Sequence, residues 1–573
     1  MKILFFSPSA AIWPHEKPLL EYAQELTKLG HKISVLRCNK HFSDFCISMS
    51  AFGLTFDSPS IEKEKVCNRC IRSARYIDEV EQLESKFIDD LDRYEQPVAR
   101  LLANINENNW WDFEINSIPI GKYAAYEFVL HNKLPSRAIP NNLFGEYLSS
   151  LRYTLKIYFY AQDYFHNNNY DAILVYNRLY SLNKVFCEVG KNFGIPSYTI
   201  HASGSMLNFF EKVSVFKDDQ LALNINKSPM WNEYSMRNLS SNDVQNVADH
   251  FLGLFKAASP WVYSSKPTGI ESKKLREQIG APADSKVVLL ATSSVDEIFA
   301  IKMIGVDPVD VNAPIIFHTQ SSWIKSVVEF LSGRPEVFLI IRVHPREFAN
   351  KREGLNSNHG KELKTLLGTF KSSNVYLNFP GDGLSLYDFL DITNLLLAGN
   401  SSAVPEFTAL GIPALCHESR NLTAFPRDIA YWAQSEREYL EELDRLLLTR
   451  FDLNKSRKAF RWFSFKINVT GEKTLYSNRS RNKLFFGLTR KVYSRFTLWL
   501  PLSFMGFINI TWDKFYKKSS EPSVIESIIQ LKLDGTLLTH KPSVLSSELE
   551  ESRFIREAQE NLLKASKSKV LSK

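Results

Sequence analysis

The sequence predicts an α/β protein in which two domains of mostly parallel sheet face each other across a cleft, followed by a helical, basic and aromatic C-terminal extension. Three observations predict it. Short apolar runs alternate with amphipathic helical stretches through the first 255 residues and again from Lys286. Several of those runs stop abruptly in polar residues, as in "FLIIRVHPRE" from Phe338 to Glu347, the signature of a buried strand opening onto a crevice. The chain also has 573 residues, more than one core holds at roughly 100 to 200 residues per domain.

Taken in order, "KILFFS", "HEKPLLEYAQELTKLGH" and "KISVLRC" read as strand, helix and strand. Leu19, Leu20, Ala23, Leu26 and Leu29 recur at helical spacing, and Gly30 stops the helix. A mostly helical region follows from Arg72 to Phe165, and "YDAILVYN", "NKVFCEVGKNFG" and "IPSYTIHASG" form a second strand, helix, strand unit. Residues 1–255 thus form one α/β domain and 256–285 a connector. Residues 286–454 form the second domain: "SKVVLLATSSVDE", "SWIKSVVEFLSG", "FLIIRVHPRE", "NVYLNFPG", "SLYDFLDI", "NLLLAGNSS", "VPEFTALG" and "IPALCHES" alternate strand with helix. Short strands alternating with helices imply parallel pairing and right-handed crossovers. Residues 455–573 are the extension.

The net charge of +7 is unevenly placed: residues 455–518 hold fifteen Lys or Arg against Glu472 and Asp513, leaving a net −6 elsewhere. Cations interleaved with aromatics, as in "NKLFFGLTRKVYSRF", suit an anionic membrane surface. Nothing resembling a nucleic-acid module accompanies them, so nucleic acid is not an expected partner. The most apolar stretch, 496–510, is too short to span a bilayer and contains Pro501 and Gly506. A cytoplasmic protein, peripheral at the inner face of the membrane, is expected. Six cysteines in such a chain do not make a disulfide scaffold, but Cys38, Cys46, Cys67 and Cys70 cluster, and "CNRC" has the spacing of a structural zinc knuckle.

Two segments carry the candidate chemistry. His344, Arg346 and Glu347 follow one strand; Asn400, Ser401 and Ser402 lie between a strand and a helix, with Glu406 six residues beyond Asn400. Backbone N–H groups and short hydroxyls at such a turn suit phosphate oxygens, and a carboxylate nearby suits a ribose diol.

From Lys286 to Leu415 the chain resembles the bacterial capsule and surface-polysaccharide glycosyltransferases of the GT-B fold, in which two Rossmann-like domains face across a cleft. The residues that carry the resemblance are "SSVDE" (293–297), "IRVHPRE" (341–347), "SLYDFL" (385–390) and "NSSAVPE" (400–406). A weaker likeness runs through "IPIGKYAAYEFVLH" and "YDAILVYNRLYS". The His-Pro and Ser-Ser motifs are similar to those of bacterial sialyltransferases and, more distantly, of UDP-N-acetylglucosamine 2-epimerase. The resemblance implies that His344, Ser401 and Ser402 hold donor phosphates and Glu406 the ribose. It further implies a nucleotide-sugar donor, no obligatory metal, and a glycan or lipid-linked glycan acceptor. An inverting reaction needs a base within reach of the acceptor hydroxyl. His15 and Glu16 after the first strand, Asp296 and Glu297 in the second domain, and His201 are candidates; a retaining reaction needs none of them. A sugar-nucleotide epimerase or hydrolase, and a non-catalytic assembly protein, are the alternatives.

Overall fold

The computed structural model describes the chain except residues 82, 84, 203–211, 218–228, 259–261, 307–313, 350–353, 371, 400, 418–424, 450–451, 469–471, 474–545 and 569–573. Two largely parallel, Rossmann-like sheets organise it, the α/β architecture expected. The first contains β1 (Lys2–Ser7), β2 (Lys32–Arg37), β3 (Ser85–Phe87), β4 (Ala172–Tyr176), β5 (Ser197–Ala202) and β6 (Lys212–Lys217). The second contains β7 (Lys286–Ala291), β8 (Val337–Arg342), β9 (Val375–Asn378), β10 (Leu395–Ala398), β11 (Ala414–Cys416) and β12 (Tyr431–Trp432). A late pair, β13 (Glu472–Lys473), returns to the first sheet and pairs antiparallel with β6.

Strand order is β13-β6-β5-β4-β1-β2-β3 in one sheet and β12-β11-β10-β7-β8-β9 in the other. Each sheet therefore has a switch point where the chain reverses its direction of travel, between β1 and β4 in the first and between β7 and β10 in the second. Ligands of open parallel sheets bind at such points, outside the carboxyl ends of the strands.

The helices used below are α1 (Trp13–Lys28), α2 (Ser60–Glu81), α3 (Tyr126–Asn132), α4 (Asn141–Asn167), α5 (Ser181–Asn192), α6 (Ser241–Phe255), α7 (Val295–Met303), α8 (Gln320–Ser332), α9 (Ala403–Ala409), α10 (Leu453–Asn468) and α11 (Glu548–Ser566). Strand β8 is buried along its whole length, "VFLIIR", as expected of a central strand covered on both faces. Each such side chain contributes roughly 1.5–3 kcal/mol by leaving water. Phe338 and Ile340 enter one core, Leu339 and Ile341 the other, so the alternation of the pleat divides them between the two faces.

Three differences from the sequence reading have simple causes. Strand β3 interrupts the stretch expected to be helical, and β12 and β13 were not expected; segments of two or three residues carry no periodicity. "SLYDFLDI" forms only a 3-10 turn, Leu386–Phe389, opened by a Ser385 and Asp388 capping box. His15 and Glu16 lie not on a loop but in the first turn of α1, whose N-terminus carries a proline.

The basic extension begins as an internal structure. Arg457 and Arg461 on α10 both pair with Glu551 on α11, at 2.7 and 2.6 Å, and the three are buried together. Lys458 meets Asp428 at 2.6 Å, and Lys455 donates to the Ala430 carbonyl. These cations are engaged within the protein. The rest of the segment expected on a membrane, including 496–510, lies outside the described residues. Among the described residues no helix is long and apolar enough to cross a membrane.

Candidate functional site

The switch point of the second sheet brings together the loops after β7, β8 and β10. Thr292 continues β7, its N–H bonded to the Arg342 carbonyl, and its hydroxyl accepts the His344 N–H at 2.8 Å. His344 is thereby fixed beside the β7 loop. Its Nδ1 accepts the Arg346 N–H at 3.3 Å, so the ring proton resides on Nε2. Burial, reinforced by the Arg346 charge, lowers the His344 pKa to about 4. At neutral pH His344 is an uncharged imidazole that offers an Nε2–H donor.

Buried polar atoms here without a hydrogen-bond partner among the described residues include Ser293 Oγ after β7, His417 Nε2 after β11 and Glu347 Oε1 on the His344 loop. Strand β10, with Gly399 at its end, lies between these two strands. His417 packs on Trp323 of α8, ring centroids 4.0 Å apart, and crosses Gly399 so closely that a Cβ there would sit 2.6 Å from its Nε2. A protein rarely buries polar groups unpaired, because each costs about 1–3 kcal/mol. Ser293 opens the "SSVDE" motif but was given no role from sequence, and His417 was not singled out, although each follows an apolar run as His344 does.

The structure redistributes the expected donor residues. Ser401 and Ser402 are at the β10 end as expected, with Ser401 Oγ accepting the Ala403 N–H at 3.2 Å. Helix α9 has only seven residues and Ser402 makes no side-chain cap bond, so the anion-binding helix end expected there is rudimentary. Asn400 lies outside the described residues. Glu406 is buried and accepts from the Tyr387 hydroxyl at 3.1 Å; burial raises its pKa to about 7.

Arg346 and Glu347 follow His344 on the same loop. The 3-10 turn Pro345–Glu347 swings Arg346 into the contact between domains, where it meets Asp296 Oδ2 at 2.8 Å and donates to the Leu130 carbonyl at 2.8 Å. Burial opposes its charge, but Glu297 and Asp296 outweigh that and hold the guanidinium above its ordinary value. Glu347 accepts from Ser357, and burial raises its pKa to about 7. Arg346 is occupied in positioning the loop, whereas Glu347 keeps one buried oxygen, Oε1, without a partner among the described residues.

Lys133, just after α3, completes that contact. Its buried ammonium donates to the carbonyls of Arg346 at 2.6 Å, Phe348 at 3.3 Å and Leu355 at 2.6 Å. The first domain thus grips the loop that carries His344.

Of the base candidates, Glu16 is buried against Arg37 and accepts from Ser7, and Asp296 is paired with Arg346 and accepts from Ser294 at 2.8 Å. Neither is free to take a proton from a substrate, because each stabilises a buried partner. Glu297 is part-exposed, 3.4 Å from the Tyr263 hydroxyl. His15 stacks on Tyr176 at 4.2 Å, and Tyr176 on His201 at 5.9 Å, a ladder at the ends of β4 and β5. Burial, then His201, lowers the His15 pKa to about 3, leaving it neutral and weakly basic. Cys67 and Cys70 lie three apart within the continuous helix α2 rather than on a knuckle. Burial raises the pKa values of Cys38, Cys46, Cys67 and Cys70, and all four are free thiols. Among the described residues no three His, Cys, Asp or Glu side chains are grouped to hold a metal ion.

No protein-family model matches the chain, and no curated protein matches it. Solved structures do. UDP-GlcNAc 2-epimerase from Neisseria meningitidis bound to UDP-GlcNAc is 13% identical, over 85% of this chain and 100% of its own, with a TM-score of 0.29. KpsC of Thermosulfurimonas dismutans, a beta Kdo 2,4 transferase, is 11% identical over 51% of this chain and 79% of its own, TM-score 0.29. The calicheamicin glycosyltransferase CalG4 is 11% identical over 84% and 98%, TM-score 0.26. At these scores the likeness assigns no residue.

Proposed function

We propose that this chain is a nucleotide-sugar-dependent glycosyltransferase that moves a sugar onto a growing surface polysaccharide. The observation that supports it most is the β7/β10 switch point. There a neutral His344, the unpartnered Ser293 hydroxyl and the Ser401–Ser402 turn lie at adjoining strand ends, and the first domain is fastened to the same loop through Lys133. Preorganised neutral donors at a dry strand edge suit the oxygens of a departing phosphate, where charge develops as the glycosidic bond breaks. The first domain then supplies the acceptor side, and the ten Lys or Arg between 473 and 518 would bring the cleft to an anionic membrane carrying that acceptor.

The test is a binding and turnover screen. Isothermal titration of the full chain against UDP-, GDP-, CMP- and dTDP-sugars, with magnesium and with EDTA, should find one class that binds. His344→Ala and Ser293→Ala should each raise its Kd about tenfold or more, the range of a lost hydrogen bond to a charged group. Unchanged binding in both variants removes this crevice from the account. Isomerised or free sugar formed without acceptor would replace transfer by epimerisation or hydrolysis. Cosedimentation with vesicles containing phosphatidylserine, lost in 0.5 M salt or so as the screening length shrinks, tests the membrane clause; equal recovery with neutral vesicles sinks it.

A further inference from the structure

The other switch point, between β1 and β4, holds a cavity to which the preceding reading assigns nothing. Its walls are built by Phe42, Phe45, Phe56, Tyr153 and Tyr180, with Glu127 of α3 among them. Phe45 and Phe56 stack on each other at 4.3 Å and remain half-buried, so the cavity has an accessible side. Phe42 and Tyr153 meet edge to face at 5.6 Å and form the buried side.

Glu127 is the polar feature of this aromatic box. One carboxyl oxygen accepts the Ser181 N–H at the start of α5, at 2.9 Å. The other, Oε2, is buried and has no hydrogen-bond partner among the described residues. The remaining polar side chains of the wall include two that are already spent. Ser150 donates to the Ala124 carbonyl at 2.6 Å, and Asn183 donates to the Tyr176 carbonyl at 2.8 Å. Glu127 is thus the one ionisable carboxyl of a wall whose other polar side chains are neutral hydroxyls, an amide and the Cys46 thiol.

We propose that this cavity binds an organic ammonium group, held by Glu127 and by the faces of the surrounding rings. Three arguments lead there. An unpaired buried carboxyl oxygen is costly until a donor meets it. Aromatic rings attract a cation through their quadrupoles, by about 0.5 kcal/mol at exposed sites and 2 kcal/mol or more when dry. A neutral sugar, by contrast, brings no charge to the Glu127 carboxyl or to the ring quadrupoles, and Ser150 and Asn183 are already bonded elsewhere. Burial holds the Glu127 carboxyl up at about 7, so an arriving cation would also convert a group close to neutral into its counter-ion. An ammonium of this kind is carried by an aminosugar or by an aminoalkyl headgroup, and the chemistry is shared by both. The proposal does not depend on the donor reading, since the two switch points lie in different sheets.

The test is isothermal titration of the full chain with tetramethylammonium, ethanolamine, glucosamine and glucose. Saturable binding of at least one ammonium compound, without saturable binding of glucose, is expected. Glu127→Gln should weaken it about tenfold or more, as loss of a charge-assisted bond does. Phe45→Leu, an apolar change at the half-buried side, should weaken it as well. Preference for glucosamine identifies an aminosugar as the carrier, and preference for ethanolamine or tetramethylammonium a headgroup. Absence of binding by every ammonium compound overturns the proposal, as does equal binding of glucose or undiminished binding by Glu127→Gln.

Discussion

His344 illustrates how a histidine can serve an anion without being charged. Because its Nδ1 accepts a backbone N–H and burial keeps its pKa near 4, the ring would meet the proposed phosphate through a neutral Nε2–H. Affinity for a nucleotide diphosphate sugar should accordingly stay level from about pH 5.5 to 8, well clear of that pKa. Titration at a series of pH values checks this; a tenfold loss per unit above the ordinary histidine pKa would show that a charged ring does the binding. Gly399 is the second case. Adding one methyl at 2.6 Å from His417 Nε2 forces the ring off Trp323, so Gly399→Ala should cost about 1–3 kcal/mol. Thermal melts should show the loss, and a Gly399→Ala, His417→Ala double variant should recover part of it; a melt identical to wild type contradicts the packing described. The strand-end position of His344 was legible in "FLIIRVHPRE", because an apolar run fixes where a strand stops. Which of the following polar residues faces the crevice was not, since a 3-10 turn decides that: it turned Arg346 inward to Asp296.

Among elements, α3 matters more than its seven residues suggest. It carries Glu127, its Leu130 carbonyl receives Arg346, and Lys133 caps it in a left-handed conformation at φ 51°. Lys133→Met keeps the length and removes the ammonium, leaving three carbonyls of the His344 loop without that donor. A destabilisation of about 2–3 kcal/mol is expected from the urea midpoint, together with weaker nucleotide binding. If binding is unaffected while stability falls, the grip is structural only. Removing one partner of the buried Arg346–Asp296 pair should cost more, about 3–5 kcal/mol, because a charge is stranded; Arg346→Met with Asp296→Asn should cost less than the sum of the single changes, and simple additivity would show that the pair is not coupled. None of this was visible in sequence. Lys133 and the carbonyl of Arg346 are 213 residues apart, and a single sequence records no such pairing. The alternation of β1, α1, β2 and of β7 through β11 was visible because apolar periodicity is local, whereas the strand order that sets a switch point in each sheet was not.

For the whole molecule, two sets of buried groups set opposing pH limits. Burial lowers the pKa values of His15, His250 and His417 to about 3 and of His344 to about 4, so the unfolded chain binds these protons first. Their stabilisation is complete above the ordinary value of 6.5 and is lost as pH falls towards 4 and 3. Burial raises Glu127, Glu347 and Glu406 to about 7, and their stabilisation, complete below 4.5, is lost as pH rises through 7. Melting temperature should therefore be highest between pH 4.5 and 6.5, where the two slopes oppose each other, and fall on both sides. A melting temperature still climbing from 6.5 to 8 would mean that the buried carboxyls do not govern that limb. One last feature bears on the order in which the protein is made. The guanidinium groups of Arg457 and Arg461 rest on Glu551, which is fully buried and arrives only with α11. On the ribosome the two guanidinium groups have neutral partners, the Asn238 amide oxygen and the Ser235 carbonyl, before that carboxylate emerges, so their charges are matched only once α11 has been made.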